Sequence, residues 1–147
     1  MTVSDFYHFC VLMKKDSNIL FSSNAHHNSV YLGAFVLEGY IKILLIKSGA
    51  NTVSGNGNNS YGGHIKGINC AMIQRLNSLN PTEFSNSILV NGHIKYPFAL
   101  LSNNYDINFR YEVLKWTNSV YSHAVQNEIE DIINELINLR IQGLIQI

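Results

Sequence analysis

From Ser29 to Ile46 the chain reads SVYLGAFVLEGYIKILLI, an apolar run interrupted only by charged Glu38 and Lys42. Such a segment has two physical outcomes, burial inside a protein or insertion in a bilayer. Its length suits either, but Glu38 and Lys42 at its centre would each cost ~3 kcal/mol in hydrocarbon, which excludes the membrane. The remaining choice is a core helix. Val30, Ala34, Leu37, Ile41 and Leu44 recur every three or four residues and define a buried stripe, which Phe35 and Leu45 widen. The helix is expected to begin near Ser22 to Asn24 and run to Lys47. It stops at Ser48-Gly49, with Lys47 favourably placed at the negative end of the dipole.

The rest of the chain supplies elements to cover this helix. Val3 to Lys15 reads as a first helix capped by Ser4, with Phe6, Cys10 and Met13 on one face, and Lys15-Asp16-Ser17-Asn18 reads as its break. Ala50 to Gly63, ANTVSGNGNNSYGG, is too rich in Gly, Asn and Ser for a regular element. Its Gly55-Asn56-Gly57 lacks the third glycine, the Gly-Lys-Ser/Thr and the preceding strand of a phosphate-binding loop. A third helix is expected from His64 to about Asn77, with Ile65, Ile68, Ala71, Met72 and Leu76 inward. Asn80-Pro81-Thr82-Glu83 reads as another helix start, leading into a weak segment, Phe84 to Val90. Asn91-Gly92 reads as a turn, His93 to Asn104 as irregular, and Ile107 to Leu114 as extended or loop-like. The last helix, about Thr117 to Leu144, carries the seam Val125, Ile129, Ile132, Leu136 and Leu139. Ile133 and Ile137 form a second apolar row beside it. Two rows on one helix imply that one faces the core and the other a subunit interface. The expected fold is all-α, a single domain over residues 1–147, arranged as an up-and-down bundle of four to five helices.

At 147 residues, with 46% hydrophobic and 14% charged residues, the composition excludes disorder. Formal charge is zero, so the strongly basic face of a tight duplex binder is absent from the total, while a local basic pocket is allowed. Cys10 and Cys70 form neither a disulfide framework nor a CxxC pair, and His26-His27, being adjacent, are not the i, i+4 pair of a helical metal site. No metal or cofactor is expected. The N-terminus lacks the basic and apolar regions of a signal peptide, so a cytoplasmic location is expected.

Three short features carry chemistry. Glu38 and Lys42, at i and i+4, share a helix face and can pair. His64 follows Gly62-Gly63, where it can cap a helix or serve as an acid-base near neutral pH. Arg110-Tyr111 offers a planar fork for phosphate or carboxylate beside a stacking ring, or alternatively pins its loop on Glu38 or Asp106. Trp116, Tyr121, Tyr105 and Phe109 lie near Arg110 and serve either as core packing or as a base-stacking surface.

An apolar helix with Glu38 and Lys42, a polar loop ending in Gly63-His64, and a late Arg110-Tyr111 resemble the HEPN superfamily of small helical domains. Ile65 stands where that family commonly carries Asp after the His. The resemblance implies an inter-helix groove in which Glu38, Lys42, His64, Arg110 and Tyr111 bind a nucleotide, RNA or partner protein, and pairing of two chains across a two-fold axis. A cognate partner such as a nucleotidyltransferase is also implied. The family's ribonucleases place a His four to six residues beyond an Arg, so that the His moves protons while the Arg stabilises the phosphorane. None of the three arginines here, Arg75, Arg110 and Arg140, has a His at that spacing. The nearest echo, Thr117 to His123, has Thr where Arg belongs. The expected function is a non-catalytic binding module. The alternative is a divergent metal-independent endoribonuclease of toxin-antitoxin or phage-defence type, with His123 or His64 as catalytic residue.

Overall fold

Two long helices joined by a three-residue turn lead the chain in the computed structural model: α1 (Val3–Ser22) and α2 (His26–Lys47). The structure describes residues 1–51, 53, 60–64, 71–79, 89–90, 93–94, 106–112 and 115–147. Of Ile73, Asn77, Leu89, Val90, His93, Ile94 and Arg110 only the backbone is described. After α2 come α3 (Ala71–Leu79), an antiparallel pair β1 (Leu89–Val90) and β2 (His93–Ile94), a 3-10 helix (Ile107–Tyr111) and α4 (Ser119–Ile141). The protein is all-α, with this two-residue β pair its only regular strand structure among the described residues.

The first helix differs from expectation at both ends. Its cap is Thr2, not Ser4: Thr2 Oγ1 accepts from Asp5 N while the Asp5 carboxylate accepts from Thr2 N, a capping box. It also continues through Lys15-Asp16-Ser17-Asn18. Ser17 is buried there and donates to the Ser29 carbonyl of α2 at 2.8 Å, so its hydroxyl finds a partner across helices instead of breaking its own. The turn comes at Ser23 to Ala25, where Asn24 adopts φ 60°.

The core stripe of α2 is buried as expected, from Val30 through Ala34, Leu37 and Ile41 to Leu44. Each fully buried Leu or Ile contributes ~1.5–3 kcal/mol. Among the described residues α2 is long and apolar enough to cross a membrane, with mean hydropathy 1.7, yet 72% of that window is buried inside the protein. Glycines set the spacing between helices. A Cβ on Gly39 would lie 2.5 Å from Cys10 Sγ, and one on Gly33 2.3 Å from Ile129 Cδ1. Cys10 donates to the Val36 carbonyl, and burial pushes its thiol well above the usual range, which makes it inert.

Contacts fix the directions. Ser17 meets Ser29 and Cys10 meets Val36, so α1 and α2 are antiparallel. His26 meets Ser122, Ser29 meets Gln126 and Gly33 meets Ile129, so α4 lies parallel to α2. The α4 seam Val125, Ile129, Ile132, Leu136 and Leu139 is buried against it. The expected second row divides: Ile133 joins the same core, and Ile137 is 39% exposed. It is not a continuous outward stripe, because the α1–α2 hairpin covers a wider arc of α4 than one seam.

Three further expectations are corrected. The described third helix begins at Ala71, whose side chain is exposed, and His64 is in a non-helical strap. Ile107 to Tyr111 is a 3-10 helix, because Asp106 accepts from Asn108 N and starts a turn. His93–Ile94 is paired strand, not irregular chain. Expectations at 54–59, 65–70, 80–88, 91–92, 95–105 and 113–114 lie outside the described residues.

Candidate functional site

Just past the middle of α2, Glu38 turns its carboxylate toward α1 and is only 5% exposed. A lone carboxylate at that depth would be neutralised or expelled, so it needs partners. Lys42, one turn on, donates from Nζ to Glu38 Oε1 at 2.7 Å. His64 Nδ1 sits 3.2 Å from both carboxylate oxygens. A carboxylate accepts only, so Nδ1 carries the proton and the outer nitrogen is left bare when the ring is neutral. The Glu38 and Lys42 side chains are buried or nearly so, whereas that of His64 is 53% exposed. The imidazole is the member that meets solvent.

These three side chains stand at one end of a cleft of about 240 Å³ between α1 and α2. Phe6, Phe9 and Phe35 form its apolar walls, with Met1 at the margin and Gly39 beneath. Phe9 and Phe35 meet edge to face at 6.2 Å, and Lys42 Nζ lies 5.7 Å from the Phe6 ring centre. The cleft thus combines aromatic faces with an ammonium and an imidazole that share one carboxylate.

The strap bearing His64 is fixed from α3. Arg75 donates through Nη1 to Ser60 O at 2.7 Å and through Nη2 to Gly62 O at 2.5 Å. Tyr61, between those carbonyls, is buried edge-on against Phe6 at 5.9 Å.

Of the expected ligand set, Glu38, Lys42 and His64 come together. The Arg110 side chain lies outside the described residues. Its segment is tied through Phe109 to Trp116 at 5.4 Å, and Trp116 stacks on His27 at 5.3 Å, eleven residues before Glu38 on α2. Tyr111 is exposed. His123 is exposed on α4 beside Phe21, next to the Ser122–His26 hydrogen bond of 2.8 Å. His26 precedes Glu38 by twelve residues, roughly 18 Å along the helix. His123 and His64 therefore belong to opposite ends of the bundle and do not form one site within a chain.

Sequence reasoning missed Arg75, Phe6, Phe9 and Phe35 as parts of the site. A signal for Arg75 was available: with Met72 at i−3 and Leu76 beside it, a cation lies on the buried face of α3. Among the described residues no group of His, Cys, Asp and Glu could hold a metal ion. No family model, curated protein or solved structure matches this chain.

Proposed function

We propose that this protein is a non-catalytic binding module of HEPN type whose α1–α2 cleft takes one unpaired nucleobase, from a free nucleotide or from single-stranded RNA. The observation that carries the reading is the half-exposed imidazole of His64, held on buried Glu38 beside Lys42 at the head of a phenylalanine-walled cleft. The cleft's volume of about 240 Å³ leaves room for one small ring system, not for a large ligand. Stacking on aromatic side chains contributes ~1–3 kcal/mol per base and tolerates any base. The free ammonium protons of Lys42 and the outer nitrogen of His64 lie where a phosphate or the polar edge of a base would emerge. Zero formal charge suits a one-nucleotide contact better than a long electrostatic track.

The endoribonuclease reading retains one supporting observation. A histidine oriented by a carboxylate is equipped for proton transfer. The cation beside it is Lys42, whose ammonium is engaged by Glu38, and the family's Arg four to six residues before the His, which contributes roughly 3–4 kcal/mol, has no counterpart ahead of His64.

Calorimetric titration with AMP, GMP, CMP, UMP and a short single-stranded RNA tests the proposal. Saturable binding is expected, weakened about tenfold or more by Phe9→Ala and left unchanged by His123→Ala. Absence of saturable binding by every one of these ligands overturns it. Cleavage of a mixed RNA pool in EDTA that His64→Ala abolishes would instead establish the nuclease.

A further inference from the structure

Apart from a single β-bridge at Ser60, Ser60 to His64 has no regular element to hold it, yet it delivers His64 within hydrogen-bond distance of both Glu38 oxygens. We propose that Arg75, which lies outside the cleft, is the positioning residue that sets His64 on Glu38 and thereby sets the affinity of the cleft.

Arg75 is 7% exposed, and its described contacts include no carboxylate. Among the described residues its charge is met by carbonyls alone. Nε donates to Ala71 O at 3.0 Å within α3, which aims the guanidinium plane away from its own helix. The two Nη groups then span the strap on either side of Tyr61. A buried cation is tolerated only when its donors are satisfied, so the guanidinium and the strap hold each other in one arrangement. An ammonium is a compact donor and does not reproduce two parallel bonds at fixed separation.

The residues between the clamp and His64 are shaped for this placement. A Cβ on Gly62 would lie 1.9 Å from the Val53 carbonyl oxygen, so only glycine fits against that backbone. Gly63 has φ +111°, and a Cβ there would lie 3.3 Å from Arg75 Nη2. The strap is thus pressed on Val53 and clamped by Arg75, with one residue left before the imidazole. Arg75 is not among the residues that line the cleft, and its described hydrogen bonds do not include Glu38. Its influence on a ligand passes through the position of His64.

The tautomer of His64 reports this directly. While Nδ1 donates to Glu38, the neutral ring carries its proton on Nδ1. Released into water, it takes the form of a free histidine, in which the Nε2–H tautomer predominates. The experiment is ¹⁵N NMR of the histidine side chains in the full chain, followed up to a pH of about 9, well above the range of an unperturbed imidazole, with His64→Ala identifying the signal. The wild type is expected to show the Nδ1–H pattern. Arg75→Lys and, separately, Gly63→Ala should replace it with the Nε2–H pattern, as should Glu38→Gln.

Retention of the Nδ1–H pattern in folded Arg75→Lys overturns the proposal. Should Arg75→Lys fail to fold, its retention in Gly63→Ala does so. The affinity arm rests on the nucleobase reading: AMP binding should weaken in Arg75→Lys by the same factor as in His64→Ala, with no further loss in the double variant. If wild type binds no nucleotide, that reading fails while the NMR result still decides the role of Arg75. If the two single losses multiply in the double variant, Arg75 acts other than through His64.

Discussion

Two polar clusters lie along α2, about 13 Å apart on its axis. The first is neutral and closed. Ser17, Ser29 and Gln126 meet at 2.8 Å contacts and tie α1, α2 and α4 together, with both serines buried. The second is charged and open: Glu38 holds Lys42 and His64, and the imidazole reaches solvent at the cleft. Both satisfy groups that burial would otherwise penalise, except that in the first Gln126 Oε1 is buried without a hydrogen-bond partner among the described residues. The difference is what remains over. In the first cluster the hydroxyls serve the helix interfaces. The second leaves ammonium protons and an imidazole nitrogen directed outward, a surplus that stability does not require.

Breaking the charged cluster should have the largest effect. Lys42→Met leaves the buried carboxylate with His64 alone and is expected to cost about 3 kcal/mol in urea denaturation. Glu38→Leu combined with Lys42→Leu should fall within about 1 kcal/mol of wild type, because both desolvation costs vanish together. A loss below about 1 kcal/mol for Lys42→Met alone would reduce the pair to a surface bridge, and the contrast would collapse.

A smaller effect tests the packing beneath the cleft. Gly39→Ala drives a methyl against Cys10 Sγ and should cost about 1–3 kcal/mol. Adding Cys10→Ala should recover part of that loss, so the two changes couple in denaturation. Strict additivity would show that α1 and α2 shift apart instead of being held by this contact.

The neutral cluster should give the smallest change. Gln126→Leu is expected to cost about 1 kcal/mol while leaving AMP affinity at the wild-type value in calorimetry. If it weakened AMP as much as His64→Ala, the two clusters would be one network.

The sequence was most legible where periodicity is strongest. The α2 stripe and the α4 seam follow from spacing, whereas the burial of Val36, Tyr40 and Ile43 outside the stripe reflects the central place of α2 among its neighbours. The Glu38–Lys42 pair is likewise local, one turn apart. What escaped was long-range. Ser17 reads as a helix breaker until Ser29 is opposite it, and tertiary hydrogen bonding then overrides the local preference. Arg75 is an ordinary helical residue until the strap crosses it. His64 was found, but as a helix-capping or acid-base residue at the start of α3, because a glycine pair ahead of a polar residue also describes a helix start. The phenylalanine walls come from two helices and become a cleft only once those helices are antiparallel.

The turn at Ser23 to Ala25 has a consequence for how the chain is made. α1 and α2 close on each other with almost no intervening loop, so their hairpin is complete once Lys47 has emerged. The helix that covers its other side ends about 90 residues later, which at ~5–20 residues per second is an interval of roughly 5–20 s. Throughout it, the face of α2 around Ser29 and Gly33 stands without Gln126 and Ile129. The growing chain therefore passes through a two-helix stage whose most apolar helix is covered on one side only.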